Sequence, residues 1–300
     1  GVLAVVAVAS AIWGFISTSR AKEAEAQAQE TRKLAENGRA EAEKLVVYLL
    51  EDFQVELEPV GRLDIVVNLS KRAMNYYAGL PAALRTPATE RNRALAEVRY
   101  ATALRNLGQL DEAYKSATDA VAVLSKLKDA GDTSEATLIS LALGHSAISR
   151  VQNQQGKFSE ARKQGTTAYA MLLPLAEAAN AGIPLRRALV QIGVAQGFNV
   201  MRDGDHEEAI GIFEKSRAVA RSIDGLQLGD TIAASLFVEA AAWQMQSLQA
   251  LDRVDDARRI GEEARPIADG VLGKQPGHML ALRARGLLLS RLADIDGTRL

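Results

Sequence analysis

Gly108-Gln-Leu110-Asp-Glu112-Ala113, Gly156-Lys-Phe158-Ser-Glu160-Ala161, Gly204-Asp-His206-Glu-Glu208-Ala209 and Asp252-Arg-Val254-Asp-Asp256-Ala257 are four copies of one short pattern. Each has Gly or Asp, then an apolar residue or His, then an acid and an Ala. The alanines fall at 113, 161, 209 and 257, each 48 residues after the last. A fixed period of this size marks a stacked repeat. Seven residues beyond each alanine stands a small residue, Ala120, Ala168, Ser216 or Ala264. Ten beyond come Val123, Met171, Val219 and Ile267, and fourteen beyond come Leu127, Leu175, Ile223 and Val271. Offsets of 0, 7, 10 and 14 trace one face of a helix. The Gly supplies the positive φ that ends one helix, and the acid suits the first turn of the next. The pattern therefore predicts a helix–turn–helix unit, with small residues for close approach and large ones between layers.

The composition agrees. The chain has 300 residues, 48% of them hydrophobic and 24% charged, with 7 Pro, and clear runs of alternating β-branched residues are missing. The 36 basic and 37 acidic residues nearly cancel, so a clustered basic face for nucleic acid is not expected. With no Cys there are no disulfides, thiol nucleophiles or Cys-ligated zinc sites. A weaker copy of the motif, Gly61-Arg-Leu63-Asp-Ile65-Val66, precedes the four and makes 41–80 a degenerate first hairpin. Four hairpins are expected over 81–276. Residues 277–300 read as the first helix of a further, incomplete repeat, so the natural protein is expected to continue.

The turn Gly-x-apolar-x-Glu-Ala, followed by a small residue seven later, resembles the signature of the tetratricopeptide (TPR) family. The helix before the turn carries the family's small position as Ala101, Ser149 and Gly197, whereas Met245 departs from it. The family's usual period is about 34 residues, so these hairpins are longer by about four helical turns in total. The resemblance covers 60–293 and implies an all-α, right-handed α-α superhelix whose first helices line a concave groove for a protein or peptide partner. Carried across by register, the groove positions fall on Arg99, Thr102 and Arg105, then Arg150 and Asn153, then Phe198 and Met201, then Trp243 and Gln246. Such a groove runs from cationic to aromatic and suits an extended peptide with an acidic end. The other reading of the array is a structural spacer or oligomerising stalk that self-associates.

The first residues have another character. Gly1 to Ser19 carry no charge, and as a helix they span about 28 Å, close to a bilayer's hydrocarbon thickness. Trp13 lies toward one end and Arg20 and Lys22 close the segment, so a transmembrane helix over 1–19 is expected, and with it a single-pass cell-membrane protein. A signal peptide is the rival, with Ala7-Val8-Ala9 as a cleavage site. Basic residues after the span favour a cytoplasmic repeat region, but without the preceding flank the side stays open. Residues 20–40 read as a helical stalk with Glu30/Lys33, Glu36/Arg39 and Glu41/Lys44 pairs near or within it. Leu45, Leu49, Phe53 and Leu57 then form an apolar stripe. The stretch from Ala40 to Pro81 resembles the segment that joins a membrane span to TPR repeats in bacterial signalling proteins, where a Ser/Thr kinase or TIR domain precedes the span. That resemblance implies a sensor or scaffold, with any catalysis outside these residues.

Catalytic, metal and cofactor residues are not expected. Asp294-Ile-Asp296-Gly297-Thr298 has the letters of a haloacid-dehalogenase nucleophile loop, but Leu287–Ala293 before it reads as helix where that loop needs a strand. His145, His206 and His278 are remote in sequence and share no ligand spacing. Lys157 lacks the glycine-rich lead of a phosphate loop, and Asp252, Asp255 and Asp256 lack the spacing of a calcium loop.

Overall fold

The computed structural model describes residues 25, 27, 29–31, 33, 37–39, 41–46, 63–178 and 180–297. The chain divides into two units, Gly1–Leu49 and Leu50–Leu300. In the first, every described residue is helical, and Lys44 pairs with Glu41 at 2.7 Å, while Arg39 reaches Glu43 at 3.0 Å. Leu45, expected to open a buried stripe, is exposed; Leu49, Phe53 and Leu57 lie outside the described residues.

The second unit is a stack of helical hairpins. Helix α1 (Leu63–Ala78) precedes four pairs: α2 (Pro87–Asn106) with α3 (Leu110–Asp129), α4 (Glu135–Gln154) with α5 (Phe158–Ala176), α6 (Ile183–Arg202) with α7 (His206–Asp224), and α8 (Thr231–Ala250) with α9 (Val254–Lys274). Helix α10 (Met279–Gly297) follows. The first helices begin at 87, 135, 183, 231 and 279, so the 48-residue period governs the backbone as well as the motif. Gly108, Gly156, Gly204 and Asp252 all have positive φ, of 78°, 78°, 99° and 60°, at the turn inside each hairpin. Side chains start several of the first helices. Thr86 and Thr89 form a reciprocal cap with Pro87 at the first helical position, Ser134 accepts from the Thr137 N–H, and Asp230 accepts from the Ala233 N–H at 2.9 Å.

Burial separates the two kinds of helix. In every second helix offsets 0, 4, 7 and 11 from the motif alanine are buried: Ala113, Ala117, Ala120 and Leu124 in α3, then Ala161, Gly165, Ala168 and Leu172 in α5. Helix α7 buries Ala209, Phe213, Ser216 and Ala220 there, and α9 buries Ala257, Gly261, Ala264 and Ala268. Offset 10 flanks this stripe half-buried, and offset 14 runs from the fully buried Val271 through half-buried Leu127 and Ile223 to Leu175, 37% exposed. In α1, Val66, Ser70, Ala73 and Tyr77 are buried at the same four spacings, which places α1 in the register of a second helix. The first helices pack on both neighbouring second helices and on the first helices of adjacent repeats. They are therefore covered on most sides and leave only a narrow inner face open.

The expectation of a single-pass cell-membrane protein is overturned: among the described residues no helix is long and apolar enough to cross a membrane. Even α8, with Glu239 as its one charged residue, carries Thr231, Ser235, Gln244, Gln246, Ser247 and Gln249. Such groups are costly in hydrocarbon, and in the stack they pack against protein instead. Residues 1–19, on which the expectation rested, lie outside the described residues.

Candidate functional site

The inner faces of α2, α4, α6, α8 and α10 enclose a cleft of about 330 Å³. Its size lies at the low end of ligand pockets, about 300–1,000 Å³. Arg105 and Arg150 stand at one end with Asn153, Phe198 and Trp243 form the middle, and Glu239 and Arg283 close the other end. The Phe198 and Trp243 rings meet edge to face with centroids 4.7 Å apart, and the Arg291 guanidinium lies over the Trp243 ring at 5.7 Å. Arg283 donates to both Glu239 carboxylate oxygens, at 3.1 and 2.9 Å. Arg105 donates to Asn106. Arg150 is half-buried and, among the described residues, has neither a hydrogen bond nor an ion pair from the protein.

Five of the nine residues placed in the groove by register therefore line one cleft: Arg105, Arg150, Asn153, Phe198 and Trp243. The other four do not. Arg99 is only 8% exposed and Met201 only 5%, the latter packed with Val194, Val200 and Phe213, although Trp243 and Asn153 at the same repeat positions line the cleft. Thr102 donates its hydroxyl to the Val98 carbonyl at 3.0 Å and so closes on its own helix. Gln246 is half-buried outside the cleft, with Oε1 buried and unpartnered among the described residues. Sequence reading missed Glu239, Arg283 and Asn199. Glu239 had a visible signal, as the lone charge in a twenty-residue helix. Asn199 stands where the preceding repeat has Val151, and its buried side chain accepts from Asn153 at 3.0 Å and donates to Ser149 at 2.6 Å.

A second cleft, of about 390 Å³, opens on the outer side between α7 and α9. Its arginines are already matched by acids and amides. Arg217 donates to Gln244 at 2.9 Å and pairs with Glu263, which also holds Arg221, while Arg253 and Arg259 both meet Asp256. Burial pushes the Arg217 guanidinium below the usual arginine range and Glu263 opposes the shift. The arrangement is an ion network joining two repeats.

His145, His278 and the carboxylates of 294–296 serve the helices. His145 shares a hydrogen bond with Gln164 at 2.8 Å, and His278 Nδ1 accepts from the Ala281 N–H at 3.2 Å at the start of α10. Asp294 and Asp296 sit on α10 and accept from Arg291 and Arg258, at 3.2 and 2.7 Å, with Ile295 buried between them. Among the described residues, groups of three or more His, Asp or Glu placed to hold a metal ion are absent.

Period, paired helices and inner cleft define a TPR-like, all-α helical-repeat solenoid. BtubC (BKLC) from P. vanneervenii is similar to it with a TM-score of 0.53 and 14% identity, over 78% of this chain and 92% of that chain. A Podosopora anserina protein of kinesin-light-chain type with nearly identical TPR-like repeats aligns at a TM-score of 0.47 and 15% identity, over 78% of this chain and 94% of its own. The apo form of RapI aligns at 0.42 and 11% identity, over 79% of each chain. The chain matches no family model and no curated protein.

Proposed function

We propose that the chain is a protein-interaction scaffold that holds an extended segment of a partner protein in its inner cleft. The observation that carries this reading is Arg150, a half-buried guanidinium without a protein partner among the described residues, on the same cleft as the half-buried rings of Phe198 and Trp243. A guanidinium held beside an apolar floor fits a carboxylate next to a bulky side chain better than either alone. The cleft's lining offers positioned charge and aromatic surface but no paired acid and base aimed at a common point, so binding is the chemistry it supports.

Selection from a random peptide library on the full 300-residue chain tests the reading. Enriched peptides should lose binding to Trp243→Ala and Arg150→Glu variants, while an outer-face Tyr114→Ala variant should bind them as before. Selected peptides that bind all three variants equally would remove the cleft from the account. A concentration-dependent dimer without peptide binding would favour the self-associating stalk.

A further inference from the structure

We propose that Ser149 and Asn199 hold Asn153 as a fixed acceptor for one main-chain N–H of the segment bound in the inner cleft. The inference rests on the cleft being the binding surface, and it makes Ser149 and Asn199 positioning residues.

Side chains from α4 and α6 form one directed chain of hydrogen bonds. It starts at the Ala161 carbonyl, which can only accept, so the Ser149 hydroxyl donates to it, at 2.7 Å. The Ser149 oxygen then accepts from the Asn199 amide N–H at 2.6 Å. That turns the Asn199 carbonyl oxygen toward Asn153, whose own amide N–H donates to it at 3.0 Å. Each orientation follows from the backbone carbonyl at the first step, so neither amide can turn end for end without losing bonds. Ser149 is fully buried and Asn199 is 1% exposed, and an unpaired polar atom is costly in such a place. Gly165 leaves the room, since a Cβ there would lie 3.0 Å from Asn199 Nδ2.

The other boundaries cannot build this chain. The positions of Ser149 and Asn199 hold Ala101 and Val151 one boundary earlier, and Gly197 and Ser247 one boundary later. Ala, Val and Gly have no polar side-chain atom, and Ser247 Oγ is buried without a partner among the described residues. The residue at the end of the chain changes as well. Asn153 stands where the first and third repeats have Arg105 and Met201.

The free end of the chain faces the ligand. Asn153 lines the cleft with Phe198 and with Arg150, three residues earlier on α4. Its Oδ1 accepts no hydrogen bond from the described residues and is not buried, so the cleft holds an oriented acceptor beside a cation. An extended segment laid over Phe198 and Trp243 turns main-chain N–H groups to its flanks, and an acceptor that reads one of them sets the register whatever the side chains. A lone amide must be ordered when the ligand arrives. One locked by its neighbours is ordered beforehand, which removes that cost from binding.

Peptides selected on the full chain, remade with one backbone N–H at a time methylated, test this. In the parent protein methylation at one position should weaken binding by about tenfold, as loss of a main-chain hydrogen bond to an acceptor left unpaired does. At that position the penalty should fall to about threefold or less in Asn153→Ala and in Ser149→Ala/Asn199→Val, while the penalties elsewhere stay as they were. The double variant copies the apolar pair of the first boundary and should melt close to the parent, which separates positioning from folding. Should it not fold, Ser149→Ala alone removes the anchor of the chain and carries the same expectation. A pattern of penalties identical in all the proteins, or no sensitive position in the parent, overturns the proposal and leaves the binding reading intact. Loss of the penalty in Asn153→Ala but not in the Ser149 and Asn199 variants overturns the positioning role. Peptides that bind Trp243→Ala and Arg150→Glu undiminished overturn the binding reading and this proposal together.

Discussion

The ring of Phe213 fills the space that a side chain at Gly197 would need. A Cβ there would lie 2.5 Å from Phe213 Cε1 and 2.8 Å from Cδ1 and Cζ. The two positions are sixteen residues apart, and the other repeats hold Ala101 with Ala117, Ser149 with Gly165 and Met245 with Gly261 at the same places. A Cβ at Gly261 would lie 2.9 Å from Met245 Cε. The large residue thus moves from one helix to the other while its opposite member shrinks to glycine. Met245 departs from the family's small position because Gly261 makes room for it.

This exchange predicts strong coupling. Gly197→Ala should destabilise by about 1–2 kcal/mol, since overpacking of about 1–3 kcal/mol exceeds the roughly 1 kcal/mol gained in helix propensity. Phe213→Ala should cost about 3–5 kcal/mol through the cavity it leaves. The double variant recreates the Ala/Ala pair of the first repeat and should be more stable than the sum of the two losses by about 1 kcal/mol or more. Denaturant titration of the four proteins measures the coupling; additive losses would contradict the packing.

At the turns, Asp252 holds a φ of 60° where three other repeats have glycine. A left-handed conformation disfavours any side chain, and Asp tolerates it only in part. Asp252→Gly should raise stability by about 0.5 kcal/mol, and Gly156→Ala should lower it by about 1 kcal/mol. Thermal melts showing the opposite order would count against a shared turn geometry.

Glu97 gives a pH dependence. Burial, then the neighbouring Asp119 carboxylate, raises its pKa, and Arg93 partly offsets them. A carboxyl with a raised folded-state pKa stabilises most below its unfolded value and loses that contribution as pH rises through the folded value. Because the side chain is only half-buried, solvent screening limits the effect to about half a kcal/mol. Glu97→Gln should therefore be more stable than the parent at neutral pH, with the gap closing toward pH 4. A gap that widens on acidification would refute the assignment.

Tyr169 is another shifted group. Burial, with Glu177 nearby, pushes its phenol up to about 12, and its hydroxyl is buried with no hydrogen-bond partner among the described residues. Tyr169→Phe should be neutral or slightly stabilising, because it removes an unsatisfied polar group without changing the ring. In an absorbance titration this variant should lose a phenol that ionises well above 10; loss of one ionising near 10 would show that the site is more open than described.

Much of the fold was legible because one signal repeats. The motif alanines carry the period, and the helix starts at 87, 135, 183, 231 and 279 follow it. The site was only partly legible. Register transfer places a residue along a helix, but the same repeat position is open in one repeat and covered in another: Asn153 lines the cleft, whereas Met201, 48 residues on, is buried. Asn199 stayed hidden for another reason: its partners Ser149 and Asn153 lie in the preceding repeat, 50 and 46 residues away, and nothing local marks such a bond.

The most direct test of the inner cleft as the binding surface is photocrosslinking of a library-selected peptide to the full chain, with the crosslinked residues identified by mass spectrometry. Crosslinks should concentrate on Arg150, Phe198 and Trp243 and their neighbours on α4, α6 and α8, and disappear when unlabelled peptide competes. Competed crosslinks on the outer faces of α3, α5, α7 or α9, with the inner residues unmarked, would contradict the account.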